Sequence, residues 1–216
     1  MKEEVYKYYA NRFIAQNNWG VNLDRVQFST ISEANNDMLC NVFKEGEILV
    51  ALRECGGSKS PWLNGFNFNF IKSNWEILGD DIIKVLKWFH VTGFILRGCN
   101  TSFVTLIPKC NNPSKLGDFR PISSVGCVYK LLTKILANRL KRVFGKVIDR
   151  NQSTFLSDRV LLDSVLIANE MVDFLRNDRM KGVIVKVDFE KAYGSVEWKF
   201  LEYMMKRLGF QCRWIN

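Results

Sequence analysis

Apolar residues recur along much of this chain at the three- and four-residue spacing of amphipathic helices. Between Trp75 and Phe89 they form a single stripe, and Gly93 is expected to end the helix that carries it. Residues 1–30 mix aromatic with polar side chains and are expected to form an edge segment or a domain boundary. The helical spacing predicts helices over residues 32–52 (in two pieces), 70–93, 126–146, 160–178 and 196–210.

Strands are predicted where apolar residues run together between turns. The stretch "TSFVTLIPK" (101–109) predicts one strand, and "FRPISSV" (119–125) predicts an extended segment because Pro121 disfavours helix at Arg120. The turn between these segments makes a hairpin, with Lys109 on one arm and Arg120 on the other. The expected fold class is therefore α+β, helix-rich with a small, partly antiparallel sheet.

A further strand is predicted over "VIVKVDF", with Val183 and Val185 on one face and Asp188 at its end. A carboxylate held there by a rigid strand suits Mg²⁺, which takes oxygen ligands and shares them with substrate phosphates. The alternative is an aspartate that only caps the turn after the strand. Tyr193, five residues later, would place its ring beside the sugar of a nucleotide bound at that metal.

The charge of the chain is concentrated in one region. The 216 residues fit one large domain or two small ones, and the 47% hydrophobic content is that of a globular protein. The net charge of +9 lies entirely between residues 97 and 150, which contain 11 basic and two acidic side chains. Lys130, Lys134 and Lys141 fall on one face of the helix predicted there, away from its apolar stripe. This pattern indicates a polyanion-binding surface, and the alternative is a solvated basic helix face.

The cysteine pattern and the hydropathy of the chain argue against two classes of protein. The six cysteines include no C-x-x-C pair, so we expect free thiols in a reducing compartment and no disulfide-linked partner. No apolar run approaches the roughly 20 residues of a membrane span, and the N-terminus lacks the apolar core of a signal peptide. We therefore expect an intracellular protein, nuclear or cytoplasmic, with no membrane partner.

Three stretches together resemble a known family. They read "LIPKCNNPSKLGDFRPISSVGCVYKLLTKILANRLKRV", "IDRNQSTFLSDR" and "VIVKVDFEKAYGSVEW". In this order and spacing they are similar to the reverse transcriptase, an RNA-directed DNA polymerase, of plant LINE-type (non-LTR) retrotransposons. The resemblance extends from about Ile31 to the C-terminus and is strongest after Thr101.

The resemblance implies a right-hand polymerase that extends a DNA primer on an RNA template, using dNTPs and Mg²⁺. In this class of enzyme, one of two metal ions activates the primer hydroxyl and both stabilise the in-line displacement. Residues 31–180 would form the fingers and residues 181–216 the start of the palm. Residues 1–30 would be an N-terminal boundary segment.

The family's catalytic and nucleotide-binding residues carry over to matching positions of this chain. Asp188 resembles the first catalytic aspartate of the palm, and Phe189 resembles the residue whose backbone carbonyl helps to hold a metal. Tyr193 resembles the aromatic gate that excludes ribonucleotides by clashing with their 2′-OH. Lys109 and Arg120 match the fingers residues that grip the incoming triphosphate.

Nucleic-acid contacts are expected at a second set of residues. Gln152 and Arg159 fall in the template-side motif of the family. Lys130, Lys134 and Lys141 would lie in the fingers, and their contact with template phosphates is a hypothesis from charge.

The chain departs from the family pattern at several positions. It reads "KSPWLNG" where the family has a tight turn with glycines and an acid, and it has Asp158 and Gly194 where glycine and aspartate are usual. It contains no aromatic-Ala-Asp-Asp sequence, which is the family's second acidic motif. We therefore expect a truncated fragment that does not polymerise by itself.

Two other interpretations stay open. One is a non-catalytic nucleic-acid-binding fingers module, whose affinity weakens as salt rises because phosphate contacts release counterions. The other is a fragment that does not fold stably, since half a palm sheet leaves open strand edges.

Overall fold

The structure of the protein is a computed structural model, and it describes residues 2–13, 22–57, 65–149, 152, 156, 159–183, 185 and 196–215. The chain is helix-rich in these ranges, with one small antiparallel sheet, which confirms the expected fold class at that level. The helices are α1 (Lys2–Phe13), α2 (Glu33–Cys40), α3 (Glu45–Glu54), α4 (Phe68–Ser73), α5 (Trp75–Thr92), α6 (Cys127–Val147), α7 (Leu161–Asn177), α8 (Trp198–Arg207) and α9 (Cys212–Ile215). The strands are β1 (Ser102–Pro108) and β2 (Phe119–Val125).

The chain divides into two compact units. The first contains Met1–Ile14 and Met38–Arg139, and the second contains Ala15–Asp37 and Leu140–Ile215. The first unit includes the hairpin of β1 and β2, and the second includes α7, α8 and α9.

The core of the first unit forms where α3, α5 and α6 bury their apolar stripes. Ile48 and Ala51 of α3, Leu86 of α5 and Ile135 of α6 are completely buried, at 0% exposure. Phe43, just before α3, joins the same cluster. The apolar spacing that predicted these helices is therefore the pattern that the core uses.

Two asparagine side chains bound α4, and the second of them, Asn74, divides the stretch that the apolar pattern predicted as a single helix. The side chain of Asn67 accepts a hydrogen bond from the backbone N–H of Phe70 at 3.1 Å and so caps α4. Asn74, between α4 and α5, donates from its amide to the carbonyl oxygen of Phe70 at 2.8 Å. Gly93 follows α5 in the left-handed conformation, with φ of 74°, and ends that helix as predicted.

Arg139 of α6 lies in the interior of the first unit, with 3% of its surface exposed. Its guanidinium forms a bidentate pair with Glu47 of α3, with N–O distances of 2.7 and 2.8 Å. It also donates to the backbone carbonyl oxygens of Leu39, Asn41 and Val42 at 2.7, 2.5 and 3.2 Å. The Arg139 side chain thus connects α6 to α3, to the end of α2 and to the residues that directly follow α2.

The geometry of the guanidinium explains why this position holds arginine. Carbonyl groups at the C-terminal end of a helix lack helical partners, and the five N–H donors of Arg139 form a fork that can reach several of them. The guanidinium also lies over the ring of Phe43, 4.6 Å from its centroid. Arg139 therefore belongs to the core, although its charge counts toward the basic region.

In the second unit, Asn36 joins two distant parts of the chain. Its side chain is buried, and its amide donates to the carbonyl oxygen of Gly209 at 2.7 Å. Its carbonyl oxygen accepts from the backbone N–H of Gln211 at 3.0 Å. Beside this contact, the backbone N–H of Ile31 donates to the carbonyl oxygen of Leu208 at 3.0 Å. These hydrogen bonds fix the turn after α8 against the segment that leads into α2.

The N-terminal segment is helical, although its apolar residues show no clear period. Lys2–Phe13 forms α1, with Glu3 and Glu4 in its first turn. Carboxylates at that end are favoured by the helix dipole. An ion pair between Lys7 and Glu3, one turn apart at 3.1 Å, adds a small contribution.

The strand predicted over "VIVKVDF" is not observed in the part of it that is described. Val183 and Val185 have no strand conformation and are 88% and 76% exposed. A strand needs a neighbouring strand for its backbone N–H and C=O groups. Among the described residues, β1 and β2 pair only with each other. The prediction of a buried strand is therefore wrong for these two valines.

We expect Arg139→Met to destabilise the first unit by about 3–5 kcal/mol, because it leaves the Glu47 carboxylate without its cation. Arg142→Met removes an exposed arginine from the same helix and should change stability by no more than about 0.5 kcal/mol. Urea unfolding followed by far-UV circular dichroism measures both variants. Equal unfolding midpoints for the two variants would contradict the anchoring role of Arg139.

Candidate nucleotide and nucleic-acid interface

The hairpin of β1 and β2 carries both cations that are predicted to grip a triphosphate. Its register sets Ile107 opposite Arg120, and the N–H of Lys109, directly after β1, donates to the carbonyl oxygen of Asp118 at 2.7 Å. Lys109 lies one residue beyond β1 and Arg120 is the second residue of β2, so both are close to the turn that joins the strands. The structure therefore places both predicted residues at the turn end of one hairpin.

Both cations are exposed. The ammonium group of Lys109 donates to the carbonyl oxygen of Gly117 at 2.8 Å, within the turn that joins the strands. Arg120 offers a planar fork of N–H donors, whereas Lys109 is a compact charge on a flexible stem. Two such exposed groups on one hairpin can bind neighbouring phosphate oxygens of one polyphosphate.

Asp118 organises the turn between the two strands. Its carboxylate accepts hydrogen bonds from the backbone N–H groups of Lys115 and Ser114, both at 3.0 Å. These two hydrogen bonds hold the pKa of Asp118 below its ordinary value, and the bond from Lys115 has the largest effect. The charge of Lys109 also lowers the pKa, by less. Asp118 was not among the predicted site residues, although an aspartate after a glycine is a typical turn residue.

The basic face of α6 contains cations in different environments. Lys134 is paired with Glu54 of α3 at 3.0 Å, and Asn138 donates to the same carboxylate at 2.9 Å. Lys130 is half-buried, and Lys141 is exposed. The charge of Lys134 is therefore partly neutralised by an internal partner, and Lys141 is the more accessible cation of this face.

Gln152 and Arg159 meet in the second unit, just beyond the end of α6. The guanidinium of Arg159 donates to the carbonyl oxygen of Ile148 at 2.9 Å, and also to those of Asp149 and Gln152. A cation at the C-terminal end of a helix is favoured by the helix dipole. Arg159 thus holds the backbone that leaves α6, and contact of either residue with a template stays a prediction.

Asp188, Phe189 and Tyr193 lie outside the described residues, so their roles stay predictions. Over the ranges that the structure does describe, no three His, Cys, Asp or Glu side chains are grouped as a metal site requires. Within those same ranges, no helix combines the length and the apolar character that crossing a bilayer demands.

An apolar cavity of about 410 Å³ lies in the first unit, and its lining includes Phe66, Phe70, Ile82 and Cys127. The rings of Phe66 and Phe70 stack with their centroids 4.2 Å apart. Burial raises the pKa of the Cys127 thiol, which disfavours the reactive thiolate. No sequence pattern predicted this cavity, since its lining combines α4 and α5 with residues of α6 that are distant in sequence.

Comparison with known proteins identifies the family of the chain. Residues 107–216, just over half of its length, match the family model described as "Reverse transcriptase (RNA-dependent DNA polymerase)". The matched segment begins near the end of β1 and contains Lys109 and Arg120. The chain therefore belongs to the reverse transcriptase family.

The chain is also similar to a transposon protein. It is 29% identical over 180 residues to "Transposon TX1 uncharacterized 149 kDa protein" of Xenopus laevis. The similar region covers 83% of this chain and 14% of that relative, so the chain spans only a small part of the relative's length. The family match confirms the prediction of a reverse transcriptase sequence.

We expect the hairpin turn to lose its order as the pH falls through the native pKa of Asp118. That pKa is lowered in the folded protein, so the hydrogen bonds to the carboxylate stabilise the turn above the unfolded value of about 3.9. They are lost as the pH falls through the lower native value.

The amide NMR signals of Ser114 and Lys115 should titrate together at that lower pH, and Asp118→Asn should abolish the titration. Titration of both amides at the ordinary aspartate pKa would contradict this assignment.

Proposed function

We propose that this chain supplies the nucleotide- and template-binding region of an RNA-directed DNA polymerase of a plant LINE-type retrotransposon. Residues 31–180 would form the fingers, residues 181–216 the start of the palm, and residues 1–30 a boundary segment. The observation that carries the proposal is the exposed pair of Lys109 and Arg120 on one hairpin, inside the segment that matches the reverse transcriptase family.

Lys109 and Arg120 bind the triphosphate of the incoming dNTP in this proposal. The ammonium group of Lys109 contacts a neutral carbonyl oxygen at Gly117. A phosphate oxygen would replace that contact with a stronger, charge-assisted hydrogen bond. Arg120 would add a pair of parallel N–H donors from the neighbouring strand. The exposure of both side chains supports this role.

The resemblance to the family supplies the catalytic part of the proposal. Asp188 and the backbone carbonyl of Phe189 would hold Mg²⁺, an ion that takes oxygen donors and shares them with substrate phosphates. Bound there, Mg²⁺ would neutralise charge that develops on the transferred phosphoryl group. Tyr193 would line the sugar pocket and exclude nucleotides that carry a 2′-OH.

Template binding is proposed for the basic face of α6. The three lysines of this face would contact phosphates of the RNA template, to which the DNA primer is paired. They are Lys130, Lys134 and Lys141. The exposed Lys141 should contribute more than Lys134, because Lys134 already has Glu54 as a partner. Gln152 and Arg159 would lie on the template side.

We expect the chain to bind an RNA–DNA hybrid with an affinity that falls as KCl rises, because phosphate contacts release counterions. Lys141→Ala should weaken binding to all sequences and lower the slope of log K against log salt by about one. Lys134→Ala should have a smaller effect, since its charge is shared with Glu54. Fluorescence anisotropy at several KCl concentrations measures all of these changes.

Lys87→Ala is the matched control, because Lys87 is an exposed lysine of α5 outside the basic region. It should leave both affinity and salt slope unchanged. Identical losses for Lys87→Ala and Lys141→Ala, or binding that does not depend on salt, would show that the basic face of α6 is not the template surface.

A non-catalytic nucleic-acid-binding module is the second candidate function. It is favoured by the exposure of Lys141 and Arg142, because these side chains can bind phosphates without a metal site. This candidate shares the salt-dependent binding of nucleic acid but assigns no nucleotide to the hairpin. Binding of a dNTP, added together with Mg²⁺, at Lys109 and Arg120 therefore separates the two candidate functions.

A further inference from the structure

The hairpin that carries Lys109 and Arg120 receives little support from its own sheet. A two-stranded hairpin alone is marginally stable in water, and most residues of β1 and β2 are exposed. Over the part of the chain that the structure describes, no third strand joins the sheet. Besides the hydrogen bonds of Asp118 and Lys109 within the hairpin, a contact from another element therefore adds to the order of this turn.

Helix α1 provides such a contact. The hydroxyl of Tyr9 donates to the backbone carbonyl oxygen of Leu116 at 3.3 Å, across 107 residues of sequence. The hydroxyl of Tyr8 lies beside Gly117, 3.5 Å from where a Cβ atom would stand. The two tyrosine rings pack edge to face, with centroids 5.1 Å apart. Tyr9 of α1 thus binds the turn, and Tyr8 lies close to its next residue.

Tyr9 and Lys109 bind neighbouring carbonyl groups of the same turn. Tyr9 donates to Leu116, and the ammonium of Lys109 donates to Gly117. The next carbonyl, that of Asp118, accepts from the backbone N–H of Lys109. The position of the Lys109 side chain is therefore linked to the backbone that Tyr9 holds, and the same backbone leads directly into β2.

We propose that α1 is a buttress for this turn and that Tyr9 is a positioning residue for polyphosphate binding by Lys109 and Arg120. The second part of this proposal depends on the proposed function of the hairpin. Holding the turn in place before a ligand arrives reduces the ordering cost of binding. Tyr9 acts through the backbone carbonyl of Leu116 and needs no contact with the ligand.

Selective isotope labelling makes a test specific to this turn. The sequence contains three Leu-Gly pairs, at Leu78–Gly79, Leu116–Gly117 and Leu208–Gly209. Carbonyl ¹³C in leucine with ¹⁵N in glycine gives one NMR cross-peak for each pair. The Leu116–Gly117 cross-peak reports the carbonyl that Tyr9 binds, and the other two are internal references.

Tyr9→Phe removes only the hydroxyl and should move the Leu116–Gly117 cross-peak while the two reference cross-peaks stay in place. Tyr6→Phe is the matched control, because Tyr6 lies on the same helix and is 74% exposed. It should move none of the three cross-peaks. A Leu116–Gly117 cross-peak that is unchanged in Tyr9→Phe overturns the buttress.

Calorimetric titration of the full chain with inorganic tripolyphosphate tests the effect on binding. Tyr9→Phe should weaken the affinity by about 2- to 10-fold, the value of one neutral hydrogen bond, and Tyr6→Phe should not change it. Equal affinities for Tyr9→Phe and the wild type overturn the positioning role. If the wild type does not bind tripolyphosphate while Tyr9→Phe still moves the cross-peak, the hairpin function fails and the buttress stands.

Discussion

Five hydrogen bonds from the buried guanidinium of Arg139 determine how the first unit is assembled. A charge taken out of water costs several kcal/mol unless it is paired and hydrogen-bonded. Its partners come from α3 and from the chain around the end of α2, so α6 can pack there in only one register. A shift of α6 by one residue would leave the guanidinium, Glu47 and several carbonyl groups without partners. The same helix carries Lys130 and Lys134, so this anchor also sets where those two lysines lie.

The basic region of the chain therefore serves two purposes that its charge count does not separate. Arg139 directs its donors at backbone carbonyl groups and at Glu47, and Lys134 is paired with Glu54. Lys109 and Arg120 are exposed on one hairpin. Exposed cations such as Lys109 and Arg120 are better suited to bind a polyanion, because a phosphate can reach them without breaking an internal ion pair.

Local structure could be predicted from the sequence because local rules decide it. The apolar stripes that predicted α3, α5 and α6 are the residues that the core buries, such as Leu86 and Ile135. Pro121 and the turn before it were enough to predict the hairpin and to place Lys109 near Arg120. Two helices with a break at Asn74 appeared in place of one, because a side-chain hydrogen bond overrode the apolar pattern there.

Partners distant in sequence could not be predicted in this way. Arg139 binds carbonyl groups about 100 residues away, and Tyr9 binds a carbonyl 107 residues away. Apolar periodicity predicts a single helix or strand but does not predict which other element that helix or strand packs against. The wrong prediction of a strand at Val183 has the same cause. A run of valines predicts a strand but does not show which neighbouring strand it would pair with. The roles of Asp188, Phe189 and Tyr193 are supported by the resemblance to the family.

The proposed function depends on binding of a nucleotide triphosphate by the hairpin of Lys109 and Arg120. Its most direct test is a titration of the ¹⁵N-labelled chain with dATP and Mg²⁺, followed by two-dimensional NMR. The predicted result is a saturable shift of amide signals across residues 107–120 that disappears in Arg120→Gln. Saturable shifts confined to other parts of the chain, or shifts at the hairpin that persist unchanged in Arg120→Gln, would contradict the claim.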